Sequence, residues 1–251
     1  MIAYDFHVHT CLSPCADNDM TPMNVIDRAV ENGLDILAVA DHNSLANMQV
    51  TYEYAMEQEN LVFLPAIEVE SAEEVHVLCL FPDYVSANRM ARVVSENMVM
   101  KYNKPKTFGH QYIIDDFGDV IEEEIKLLKF PTKMTIEDIF YVARQMRGVA
   151  LYAQVDNKGS SVFSILGTLP ERPNPKGMVA SNSSEGRAFA EKVSSKYDKP
   201  VFFSSSAHSL DEINTRENSH DLESFGGDMR TETGRLTAQS VIDWLRSYDG
   251  I

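Results

Sequence analysis

At 251 residues the chain exceeds the ~150 of an average domain but fits the roughly 200 to 250 common for single barrels. Hydrophobic residues at 44%, charged residues at 24%, Gly 12 and Pro 10 exclude a disordered or collagen-like chain and predict a sizeable core. A balance of 22 Lys and Arg against 38 Asp and Glu leaves −16, a field that repels a phosphate backbone, so stable nucleic-acid binding is not expected.

Ile2 to His9 alternates as a strand, with Tyr4, Phe6 and Val8 on one face and Asp5, His7 and His9 on the other. Thr21-Pro22 opens an amphipathic helix that Gly33 ends. Ile36 to Ala40 is a short strand, Ser44 to Gln58 is helix-compatible, and Leu61 to Val69 and Glu74 to Phe81 are strands. Ser86 to Lys101 is helical. From about 101 to 134 the period is lost, which reads as an insertion within one domain spanning 1–251. Thr135 to Met146 is helical, Val149 to Val155 a strand, Met178 to Ala180 a strand, Glu185 to Lys196 a helix, and Val201 to Ser205 a strand. Thr237 to Tyr248 is expected as a helix packed on the outside. Strands alternating with helices predict a parallel α/β sheet or barrel.

Cys11, Cys15 and Cys79 are too few and too scattered for a disulfide framework and read as reduced thiols, which makes a cytoplasmic location the expectation. The opening residues lack a signal-peptide pattern, and no stretch approaches the ~18 apolar residues of a membrane span.

His7, His9, His42, His76 and His208 all fall at or just after predicted strand ends. In an α/β barrel such ends converge on one face, so residues distant in sequence meet there. A lone His-x-His is equally a hydrogen-bonded barrel pair. Together with Asp41, Glu68 and the other histidines it points to a metal site, where a carboxylate can bridge two ions. His110 and His220 sit in polar, loop-like stretches and read as solvated.

His7-Val8-His9-Thr10, Ala40-Asp41-His42, Ala66-Ile67-Glu68-Val69-Glu70, Glu74-Val75-His76-Val77-Leu78 and Ala207-His208 resemble, in order and spacing, the polymerase and histidinol phosphatase (PHP) domain family of metal-dependent phosphoesterases. The resemblance implies a distorted (β/α)7 TIM-like barrel and up to three divalent metal sites holding zinc, manganese or iron. It implies that His7, His9 and Glu68 hold a first ion, that Glu68 bridges to a second also held by His76, and that Asp17, His42 and His208 hold a third. The implied reaction is hydrolysis of a phosphoester by a metal-activated water, with Asp156, Asp5 or Asp41 orienting ligands, moving a proton or serving as plain structural acids.

Two departures stand out. Where the family pattern has Ala-His-x-Asp this chain reads Ala153-Gln154-Val155-Asp156, and where it has Ser-Asp-Ala-His it reads Ser205-Ser206-Ala207-His208. A neutral amide and a hydroxyl are poorer ligands than imidazole and carboxylate, so the number of sites can be smaller. An arginine expected nearby is absent; Lys158 stands there as a point charge for a substrate phosphate. The expected partner is a small phosphomonoester or nucleotide. The alternative is a non-catalytic relative that binds metal or a phosphorylated ligand. An amidohydrolase-type enzyme, which also opens with His-x-His, is disfavoured by the missing strand lysine and by Glu74-Val75-His76-Val77.

Overall fold

The computed structural model describes residues 1–247. Seven strands form one sheet in the order β1 (Tyr4–Val8), β2 (Ile36–His42), β3 (Val62–Glu70), β4 (His76–Leu80), β7 (Val149–Tyr152), β8 (Met178–Ser181) and β9 (Val201–Ser204). The sheet curls until its edges meet: Val8 pairs with Ala207, the His9 N–H donates to the Ala207 carbonyl (3.1 Å) and the Phe6 N–H to Ser204 Oγ (3.0 Å). The result is an almost closed, distorted TIM-like barrel.

Around it lie α1 (Pro22–Glu31), α2 (Met48–Ala55), α3 (Tyr84–Asn97), α5 (Ile136–Gln145) and α7 (Ser184–Tyr197). Their starts are legible in the sequence: Thr21 caps α1 with Pro22 in its first turn, and Thr135 with Asp138 forms a capping box on α5. Short helices α4 (Pro105–Phe108) and α6 (Val162–Leu166) complete the set before the last helix. The segment from 101 to 134 is less irregular than its sequence predicts, since it holds α4 and an antiparallel hairpin of β5 (Tyr112–Ile114) and β6 (Val120–Glu123).

Three expectations need correction. The sheet is not all parallel, because β4 runs antiparallel to both β3 and β7. Two strands joined through only Ser71 to Val75 can form a hairpin, whereas a parallel crossover needs a dozen or more residues. Second, Val8 does not share a face with Tyr4 and Phe6. Asp5 pairs with Leu37 and Val8 with Val39, so β1 carries one extra residue, a bulge that reverses the side-chain phase. Tyr4 and Phe6 join the inward residues Ala38, Ala40, Leu64 and Ala66, whereas Val8 packs outward with Leu37, Val39 and the α1 residues Val25 and Ile26.

Third, the terminal helix α8 (Ala238–Ser247) is not an outer helix. Its Val241, Ile242, Trp244 and Leu245 pack against the inward residues of the barrel strands. Arg246 reaches the carbonyl of Arg147, just before β7, so α8 plugs the end at which the parallel strands begin. Tyr248, the expected end of this helix, lies outside the described residues. With that end filled, the opposite one is left for chemistry. No helix among the described residues is long and apolar enough to cross a membrane.

Candidate metal centre

The inward alternation 38-40-42 on β2 and 64-66-68 on β3 ends on His42 and Glu68, which are register partners. The reversed β4 brings its first residue to that same end, where His76 pairs with Glu70. A parallel β4 would have put His76 at the plugged end. The bulge in β1 likewise turns His7 and His9 inward, and His208 arrives from the turn after β9, beside Ala207.

Glu68 is the hub. Its Oε2 lies 3.4 Å from His7 Nε2, 3.6 Å from His9 Nε2 and 2.9 Å from His42 Nδ1, and its Oε1 lies 3.0 Å from His76 Nδ1. Three sets of donor atoms are close enough to share an ion: His7, His9 and Glu68; His42, Glu68 and His76; and His9, His42 and His208. The rings of His9 and His208 stack with centroids 4.7 Å apart.

Within this cluster His7 Nδ1 and Nε2, His9 Nε2, His42 Nδ1, Glu68 Oε2 and His208 Nε2 are buried without a hydrogen-bond partner. Orphaned buried polar atoms each cost roughly 1–3 kcal/mol, and native folds keep them only for a reason. A divalent cation among them would satisfy nitrogen lone pairs and carboxylate oxygens together, so the residues fit such an ion.

The supporting contacts set the ligand atoms. Ser13 Oγ donates to Asp41 Oδ1 (2.7 Å), so its oxygen must accept from His9 Nδ1 (2.9 Å) and from the His42 N–H (3.2 Å). His9 therefore carries its proton on Nδ1, which leaves Nε2 bare toward Glu68. Asp41 also accepts from the Thr10 N–H (2.8 Å) and Thr10 Oγ1 (2.7 Å). Asp5 is an organising acid too, accepting from the backbone N–H groups of Ser205 (3.1 Å) and Asn214 (3.1 Å).

The electrostatics divide the cluster, with His9 and His42 held neutral and His76 held charged beside the Glu68 carboxylate. Burial, reinforced by His42 and His7, pushes His9 well below its usual range, and burial takes His42 down to about 4 despite Glu68. Burial alone would raise Glu68, but the charges of His7, His76 and His42 outweigh it and hold the carboxyl well below the ordinary range. Burial opposes a charge on His76, yet the field and hydrogen bond of Glu68, with Glu70, lift it to about 9.

His7, His9, His42, Glu68, His76 and His208 thus come together, while three other candidates do not. Asp17 is exposed and belongs to none of the donor sets; its backbone N–H donates to the His208 carbonyl (2.8 Å). Asp156 gives both carboxylate oxygens to Ser181, accepting from its N–H (2.9 Å) and its Oγ (2.6 Å). This pair packs so closely on α7 that a Cβ at Gly186 would lie 2.2 Å from the Ser181 carbonyl oxygen. Lys158 is exposed on the loop after β7.

Three contacts were not anticipated. Ser13 orients His9; Glu70 Oε2 lies 3.8 Å from His76 Nε2; and Cys15 Sγ lies 3.3 Å from His42 Nε2. Glu70 was detectable as the residue two after Glu68, on the same strand face. Two open clefts lined by Asp35, Glu59, Asn60 and Leu61 lie where β2 and β3 begin, at the opposite end from these donors.

A family model for the PHP domain matches residues 5–155. This chain belongs to the PHP domain family. Among solved structures its fold resembles that of a proposed metal-dependent phosphoesterase from Bifidobacterium adolescentis, at 16% identity and a TM-score of 0.55 over 89% of this chain and 98% of that one. It also resembles a lesion-specific endonuclease from Pyrococcus furiosus, at 16% identity and a TM-score of 0.60 over 86% of this chain, which spans half of the endonuclease. A third similar fold is an amidohydrolase from Chromobacterium violaceum, at 18% identity and a TM-score of 0.56 over 88% and 92% of the two chains. At such identities the likeness is one of fold. No curated protein matches the chain in sequence.

Proposed function

We propose that this PHP-family protein is a metal-dependent hydrolase of a small phosphoester, a phosphomonoester or nucleotide. The observation that carries this reading is the convergence of six unpaired buried donor atoms around Glu68. In it His7, His9 and Glu68 hold a first ion, Glu68 and His76 a second, and His42 and His208 a third. Asp17 would complete the third set only by turning inward, and His9 already stands closer to it.

Bound divalent cations would supply charge to offset the phosphoryl oxygens and would lower the pKa of a coordinated water. Mixed nitrogen and oxygen donors accept zinc, manganese or iron, and affinity order does not choose among them. The chain's own contribution is orientation: Ser13 and Asp41 fix the His9 tautomer, and Glu68 and Glu70 hold His76 from both ring nitrogens. Asp156, with both oxygens engaged by Ser181, acts in this reading by positioning the loop after β7 rather than by moving a proton. The charge of −16 supports a small substrate over a polymer, although one protein of similar fold is an endonuclease seen in complex with a duplex substrate carrying an abasic lesion. Three free cysteines support a reducing compartment such as the cytoplasm.

The test is phosphate release from a panel of phosphomonoesters and nucleotides, with added manganese or zinc and again with EDTA. Turnover that requires metal is expected; hydrolysis that survives EDTA overturns the proposal. A second reading, a relative that binds without turnover, is favoured by one contact: Gln154 and Ser206, at the two substituted positions, are hydrogen-bonded to each other. Multiple turnovers by the native chain would remove it.

A further inference from the structure

The segment from 101 to 134 is fastened to the barrel mouth at the histidine cluster. Asn43, the residue after His42, holds a left-handed backbone (φ 50°) and is buried. Its N–H donates to the Glu68 carbonyl (2.8 Å), and its Oδ1 accepts the Glu70 N–H (3.0 Å). Its Nδ2 donates to the carbonyls of both Leu128 (2.7 Å) and Phe130 (3.0 Å). One side chain thereby grips the strap on either side of Lys129.

Other contacts keep the strap in place. Leu127 and Leu128 are buried, the Leu128 N–H donates to Gln111 Oε1 (2.9 Å), and Thr132 donates from N–H and hydroxyl to the Glu70 carbonyl (each 2.9 Å). At the other end of the segment Gly109 presses on the loop before Cys15, where a Cβ would lie 1.9 Å from the Pro14 carbonyl oxygen. Lys129 is nevertheless exposed, and it forms no ion pair among the described residues. Because the clasping Asn43 directly follows His42, Lys129 sits at the mouth of the cluster.

We propose that Lys129 is a substrate-positioning residue, held by the Asn43 clasp beside His42 to receive a nonbridging oxygen of a phosphomonoester dianion. This rests on the phosphoester reading above. A lysine offers a point charge with three donors and no fixed fork, which suits a terminal phosphoryl group approached in more than one pose. An unpaired cation beside a set of bound cations would be repelled on its own; an anion between them removes that repulsion, so the arrangement gains most when phosphate is present.

The test uses the full chain loaded with manganese and inorganic phosphate as the probe, with binding measured by calorimetry, alongside KM and kcat on the best substrate of the panel. Lys129→Ala is expected to weaken phosphate binding about tenfold or more and to raise KM by a similar factor, with a smaller change in kcat. Lys129→Arg should recover much of the binding, and Lys192→Ala, at an exposed position of α7, should leave it unchanged. Binding by the native chain that Lys129→Ala leaves intact overturns this inference while the phosphoester reading stands. Phosphate binding that depends on Lys129 without any turnover supports the inference and overturns the catalytic reading. A native, metal-loaded chain that binds no phosphate overturns both.

Discussion

The side-chain amide of Gln154 donates to the hydroxyl of Ser206, linking the turn after β7 to the turn after β9 across the mouth of the barrel. Both residues hold left-handed backbones, with φ of 43° and 52°, a conformation that non-glycine residues keep only where their surroundings impose it. Asn157 continues the chain of contacts by donating to Gln154 Oε1 (3.1 Å). At the two positions where the family pattern supplies metal ligands, this chain has a polar pair that satisfies itself.

The paired substitution Gln154→His, Ser206→Asp should therefore add donors to the centre. The double variant is expected to bind at least one more equivalent of manganese or zinc than the native chain, or to hold the same number at least about tenfold more tightly. Metal content after dialysis, measured by elemental analysis, decides it. Unchanged content and affinity would mean that the turns after β7 and β9 do not face the bound ions.

Glu68 belongs to two of the three donor sets and His208 to one, so Glu68→Gln should do more damage than His208→Ala. The expected result is loss of the ions held by both sets. Removing His208, which belongs to one set, should leave those ions in place. Metal counts for Glu68→Gln and His208→Ala side by side check the ranking; equal losses would contradict the role of Glu68 as the shared carboxylate.

Strand periodicity made most of the barrel legible, since runs such as Ile36 to Ala40 and Val201 to Ser205 differ clearly from the capped helices between them. What periodicity hides is direction and phase. The reversal of β4 depends on a connection too short for a crossover, and the bulge in β1 leaves no mark on the alternation of Tyr4, Phe6 and Val8. The amphipathic face of α8 announces burial without saying against what, and its Trp244 and Leu245 proved to meet the barrel interior. In the site, the histidines were visible as types at strand ends. Ser13, Cys15 and Lys129 were not, because their partners lie on loops whose paths no local pattern encodes.

Ser13 offers a test of how far the histidines depend on their supports. Its oxygen accepts from His9 and from the His42 backbone while its proton goes to Asp41, so all of its hydrogen-bonding capacity is used. Ser13→Ala should cost about 1–3 kcal/mol of stability by leaving buried partners unmatched, and should weaken metal binding roughly ten- to hundred-fold by freeing the His9 tautomer. Chemical denaturation and metal titration on the same sample separate the two effects. Loss of stability with native metal affinity would confine Ser13 to the fold.

The pH dependence of stability should change sign when metal binds. In the metal-free protein His76 is raised from 6.5 to about 9, mainly because Glu68 overcomes the effect of burial. A raised folded-state pKa contributes stability that is complete below the unfolded value and is lost as pH climbs through the folded one. His9, His42 and His208 are shifted downward, so their contributions change below pH 6.5 and are settled above it. Between about pH 6.5 and 9 the chelated protein should therefore lose stability, and His76→Gln should flatten that slope. Bound metal requires the imidazole nitrogens free of protons, so loading favours the high-pH side and stability should rise over the same window. Tm measured against pH with EDTA and with manganese reads both slopes. A chelated protein whose Tm climbs from pH 6.5 to 9 would show that His76 is not held protonated by Glu68.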